Sequence, residues 1–119
     1  MKNDSKALLL RIFVSSTDKY NNELLYESVV FRAKKAGLAG VTVSRGILGY
    51  GSSSVIHSYK FWEVTEKLPV VIEIIDEKEK VMAFYESLRE TLESMPYGCL
   101  VTAEDVNILL YKAGRKKIF

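Results

Sequence analysis

The chain has 119 residues, 48% of them hydrophobic, and a formal net charge of +2. That suits one compact domain over residues 1–119 with a core of its own, and it argues against a general nucleic-acid binder. Cys99 is the only cysteine, which excludes an intrachain disulfide and points to a reducing, cytoplasmic setting.

The basic excess sits in Lys112, Arg115, Lys116 and Lys117, and without them the body is slightly acidic. Such a tail is either a solvated end or a contact for phosphate or an acidic partner. Lys2, Asp4 and Lys6 precede the first apolar run, unlike a signal peptide. No apolar run approaches the ~18 residues of a membrane span.

Ala7–Val14 reads as a strand. Leu8, Leu10, Ile12 and Val14 share one side, and Leu9, Arg11 and Phe13 the other, so both faces are mostly apolar. Ser15-Ser16-Thr17-Asp18 reads as a turn whose oxygen-bearing side chains can cap a helix running to about Ala36. Its stripe is Leu25, Val29, Ala33 and Ala36, flanked by Leu24, Ser28 and Phe31. Gly37 suits the left-handed residue that stops a helix. Gly40–Leu48 is a second strand, and it dissolves into Gly49-Tyr50-Gly51-Ser52-Ser53-Ser54. No period holds from Tyr50 to about Leu68. This is an expected long mobile loop, about 50–68, with room for a short helix or an extra hairpin.

Val70–Ile75, after Pro69, is the clearest strand. Asp76 and Glu79 stand at capping-box spacing before a helix carrying Val81, Phe84, Leu88, Leu92 and Met95. Pro96 and Gly98 close that helix. Cys99–Thr102 and Val106–Tyr111 read as strand, with a break at Ala103-Glu104-Asp105. Cys99 itself reads as a small buried or half-buried residue. The sum is an α+β, ferredoxin-like βαββαβ sandwich: a four-stranded antiparallel sheet with both helices on one face. The other face is apolar, and either further copies of the chain or the long loop must cover it.

Reaction chemistry is sparse. Nucleophilic catalysis needs a nucleophile, base and orienting group in contact, and no such motif is present, so no catalytic residue is assigned. A small hydrolase would have to rely on Glu73 or His57. One His and one Cys make no metal set, and no cofactor is implied. Glu73 interrupts an apolar strand, so its carboxylate either pairs with Arg11 or lines a polar cleft. Gly46-Ile47-Leu48-Gly49-Tyr50-Gly51 lets backbone approach a ligand closely and aim N–H groups at an anion. Arg45 beside it is a candidate phosphate contact.

These residues together resemble the PII-type signalling proteins, over roughly Ala7 to Gly114. Gly40-Val41-Thr42-Val43-Ser44 followed by Gly49-Tyr50-Gly51 is similar to the PII strand entering its large loop. Leu68-Pro69-Val70-Val71-Ile72-Glu73-Ile74-Ile75 is similar to the strand leaving it. Ala103-Glu104-Asp105-Val106 resembles the start of the closing segment.

The resemblance implies a homotrimer holding an adenine nucleotide in intersubunit clefts. That nucleotide would lie against Gly40, Val41, Thr42, Arg45, Gly46, Gly49, Tyr50, Gly51, Glu73 and Gly98. A partner, such as a membrane transporter or an enzyme, would be regulated through the loop. The sequence departs from the pattern at Pro96-Tyr97-Gly98-Cys99, which lacks the lysine of the phosphate-gripping loop, and at Ile108 and Leu110, where PII proteins carry basic residues. The departures favour AMP or ADP over ATP. The alternative is a CutA-like trimer that binds metal or serves as a scaffold without nucleotide.

Overall fold

The computed structural model describes residues 1–51, the backbone of 57–58, and 67–115. β1 (Ser5–Ser15) is the central strand. A two-residue ladder follows, β2 (Lys19–Tyr20) against β3 (Glu23–Leu24). Asn21 and Asn22 form its turn with φ of 52° and 64°. Asparagine tolerates this left-handed region, and such a turn matches the twist of a hairpin. The first helix therefore starts later than the capping residues suggest: α1 is Leu25–Lys35. Its N-cap, Leu24, makes no side-chain cap bond. The main-chain carbonyl of Asp18 accepts instead from the Leu25 N–H at 2.8 Å.

The end of α1 follows the expectation. Gly37 has φ +81°. Its N–H donates to the Lys34 carbonyl at 3.0 Å, and that of Leu38 donates to the Ala33 carbonyl at 3.2 Å. This bond pair is the Schellman closure that a left-handed glycine allows. Leu25, Val29 and Ala33 are buried as expected, whereas Ala36 and Phe31 are exposed, Phe31 at 66%.

β4 (Gly40–Arg45) stops before Leu48, shorter than expected. The chain then forms β5 (Leu48–Gly49), which pairs with β6 (His57–Ser58) in a separate ladder. The rest of the expected mobile loop lies outside the described residues. β7 (Pro69–Asp76) and α2 (Lys78–Ser94) follow. The N-cap of α2 is Glu77 and not Asp76. Met95 is extended, as a residue before proline must be.

β8 (Leu100–Ile108) is one unbroken strand. The expected break at Ala103-Glu104-Asp105 is absent because these three pair with Leu10, Leu9 and Leu8 of β1. All three are exposed on this edge strand, so Glu104 and Asp105 can be charged without disturbing the core.

The sheet order is β4-β7-β1-β8, antiparallel throughout. Leu8, Leu10, Ile12 and Val14 of β1 and Val70, Ile72 and Ile74 of β7 form the core with Leu25, Val29 and Ala33 of α1 and Val81, Phe84, Leu88, Leu92 and Met95 of α2. On the opposite face Leu9, Phe13, Val71 and Ile75 are half-buried. That matches the two-sided apolar character of these strands. Among the described residues no helix is long and apolar enough to cross a membrane.

Candidate functional site

Register decides which candidates meet. Directly opposed residues of an antiparallel pair share a face. Thr42 lies opposite Glu73 on β7, and Glu73 opposite Arg11 on β1. The three form a polar row across the open face. Gly40, opposite Ile75, is on the same face. Val41 and Arg45 point the other way: Val41 is half-buried against the core, and Arg45 is exposed.

Glu73 is engaged. Arg11 Nε donates to its Oε2 at 3.0 Å, and Arg11 Nη1 donates to Glu104 on β8. The Glu104 and Glu73 carboxylates, in that order, raise the Arg11 pKa further above its ordinary value. The side chains of Arg11 and Glu73 are 37% and 35% exposed, so water reaches the pair. The ion-pair reading of Glu73 therefore holds within one chain.

Where β4 and β7 approach the loop, Gly46 donates its N–H to the Pro69 carbonyl at 2.7 Å. Gly46 and Gly49 both lie against the Pro69 ring. Tyr50 is 72% exposed. Gly51 is exposed, and among the described residues a Cβ there would meet nothing within 4 Å.

Gly98 is exposed and precedes β8, on the opposite edge of the sheet from β4. Three strand spacings, on the order of 14 Å, separate the two edges. One chain thus groups Gly40, Thr42 and Glu73, places Gly46, Gly49, Tyr50 and Gly51 at the end of β4, and leaves Gly98 apart.

The turn expected at Ser15–Asp18 is present, but its side chains close the turn and hold the start of β7 rather than cap a helix. Ser16 donates its N–H to the Leu68 carbonyl at 2.9 Å, and its Oγ accepts from the Leu68 N–H at 3.0 Å. Asp18 is buried, and its carboxylate accepts from the Ser15 N–H at 3.0 Å. These oxygens read as helix caps because capping and turn closure use the same side chains.

Burial pushes the Asp18 carboxyl up, against the opposing pull of the Ser15 N–H and Lys67. A raised folded pKa means its stabilising contribution is complete below the unfolded value of about 3.9 and lost as pH rises through the folded one. Asp18→Asn keeps an acceptor for Ser15 without the charge. Thermal melts should find this variant at least as stable at pH 7, with the advantage gone below about pH 3.9.

Cys99 is exposed, contrary to expectation. Partial burial of the sulfur and the nearby Asp18 charge both raise its thiol pKa. Nucleophilic cysteines have lowered values, so this thiol is poorly suited to attack. Among the described residues no three His, Cys, Asp or Glu side chains gather as a metal set; the His57 side chain lies outside them. A shallow concavity of about 390 Å³ lies on the outer side of α2, lined by Glu86, Arg89, Glu90, Glu93 and Ser94. It shares no residue with the β4 edge, and Arg89 there is already bonded to Glu93 at 2.8 Å.

Residues 7–108 match the DUF190 family, described as Uncharacterized ACR. The chain is 39% identical over 104 residues to a UPF0166 protein of Aquifex aeolicus (strain VF5), covering 87% of this chain and 94% of that one. Among solved structures, it is similar to CPII, a nitrogen regulatory PII-like protein from Thiomonas intermedia K12 bound to ADP, AMP and bicarbonate. The TM-score is 0.65 at 17% identity, covering 87% of this chain and 89% of that chain. The GlnK-ATP complex of B. subtilis gives 0.55 at 14% identity, covering 89% and 85%. At such identities the likeness is one of fold, and that fold is PII-like.

Proposed function

Since the chain belongs to the DUF190 family and has a PII-like fold, we propose that it is a cytoplasmic signal-transduction protein rather than an enzyme. In this reading it assembles as a homotrimer and binds an adenine nucleotide between subunits. It then regulates a partner, a membrane transporter or an enzyme, through segment 50–68. The observation that carries the proposal is the division of the candidate residues between two sheet edges. Gly40, Thr42, Glu73 and Gly46–Gly51 lie on or beside the β4 side, while Gly98 lies at the β8 edge. Within one copy the two edges stand on the order of 14 Å apart, whereas the β4 edge of one copy set near the β8 edge of the next would close that gap. The half-buried Leu9, Phe13, Val71 and Ile75 give such copies an apolar surface to share. That CPII has been obtained with ADP and AMP supports the choice of ligand class.

The ligand has few phosphates. Ile108 is buried and Leu110 is an exposed apolar residue, so neither supplies charge. Each missing charge-assisted contact forgoes roughly 1.5–3 kcal/mol. Titration calorimetry on the purified oligomer should show AMP or ADP binding more tightly than ATP. Signalling follows if the nucleotide favours one state of the partner-binding segment over another. No heat with any of the three at millimolar concentration would refute the nucleotide reading. The engagement of Glu73 by Arg11 favours a second reading, a nucleotide-free scaffold of the same architecture, and that negative result is the one it predicts.

A further inference from the structure

The end of the sheet carries a feature that does not depend on nucleotide binding. Three segments distant in sequence meet there: the turn after β1, the end of β4, and the start of β7. Ser16 and Leu68 exchange two hydrogen bonds, at 2.9 and 3.0 Å. Leu68 is buried. Its successor, Pro69, accepts from the Gly46 N–H at 2.7 Å. The Pro69 ring then fills the space where side chains at 46 and 49 would stand. A Cβ on Gly46 would lie 2.9 Å from Pro69 Cγ, and one on Gly49 would lie 3.2 Å away. A proline ring is a rigid neighbour, because its side chain is tied to the backbone. At Gly51 the same added carbon meets nothing among the described residues.

The geometry points to Pro69 as a positioning residue: it and Ser16 clasp the two arms of the loop root to β1, and Gly46 and Gly49 are glycine to admit its ring. The clasp fixes where Tyr50 and Gly51 leave the sheet. Gly51 is then the one glycine of the stretch whose lack of a side chain the packing at the loop root does not require.

Amide hydrogen exchange on the intact protein tests this. Gly46→Ala should speed exchange at the Ser16 and Leu68 amides roughly tenfold or more, as overpacking strain would, while the Val81 and Leu88 amides of α2 keep their rates. Adding Pro69→Ala should return Ser16 and Leu68 to the rates of Pro69→Ala alone. Gly49→Ala should give a smaller effect of the same sign, and Gly51→Ala none. Ser16→Ala should speed exchange at Leu68 without any steric change. If Gly46→Ala does not fold, recovery of folding in the double variant supports the clasp equally. Unchanged exchange in both Gly46→Ala and Gly49→Ala would overturn the assignment. So would a double variant as loose as Gly46→Ala, or a Gly51→Ala variant as loose as either.

Discussion

Ile72→Ala is expected to destabilise the protein by about 2–5 kcal/mol, the cost of emptying a closed core site. Ile72 is 0% exposed at the middle of β7. It sits opposite Ile12 of β1, itself 0% exposed, and opposite Val43 of β4. Three of the four strands therefore converge on it beneath the helices. A domain of this size has only about 5–15 kcal/mol in total, so this single change can remove a large part of it. Urea unfolding at fixed protein concentration should show a lower midpoint with the slope unchanged. A fall below about 0.5 kcal/mol, the scale of surface substitutions, would contradict the assignment of this face as the core.

Asp76→Ala should cost about 2–3 kcal/mol, because it strips acceptors from backbone donors. Asp76 is buried. Its Oδ1 accepts from the Glu77 N–H at 2.6 Å and its Oδ2 from the Ala39 N–H at 2.9 Å. Lys80 Nζ stands 3.4 Å from the same Oδ2. One carboxylate thus joins the entry to β4, the end of β7 and the first turn of α2.

Burial alone would push the Asp76 carboxyl up. The Glu77 and Ala39 N–H groups and Lys80 outweigh it and hold the pKa below the ordinary value. A lowered folded pKa stabilises at pH above the unfolded value of about 3.9, and that stability is lost as pH falls through the folded one. Thermal melts should therefore fall less steeply on acidification below about pH 4 for Asp76→Asn than for the unaltered chain. Asp18, with its raised pKa, works in the opposite sense, so the two substitutions report opposite slopes.

Much of the architecture was legible because it follows from side-chain period. The alternation through β1 and β7 and the helical spacing of Val81, Phe84, Leu88 and Leu92 are core signals that tertiary context did not override. The start of α1 was not legible. Ser15–Asp18 offers good caps, but the left-handed pair Asn21-Asn22 turns the chain into a hairpin first. Ala103-Glu104-Asp105, with its two charges, looked like a break because a strand at an exposed edge has no apolar requirement to show.

Of the candidate site, the polar row Thr42–Glu73–Arg11 was half visible, since two charges inside apolar strands must be reconciled somehow. Pro69 was seen only as the residue before a strand and as part of the segment leaving the loop. Its contacts with Gly46 and Gly49 lie more than 18 residues away along the chain, and a local reading of sequence does not reach them.

The central claim is that the ligand is held between the β4 edge of one copy and the β8 edge of the next. A crystal structure of the protein grown with AMP or ADP tests it most directly. The account predicts a threefold assembly with nucleotide against Gly40, Thr42 and Gly49–Gly51 of one copy and within reach of Gly98 of its neighbour. A nucleotide bound wholly within one copy, or lodged along Glu86–Ser94 of α2, would contradict it.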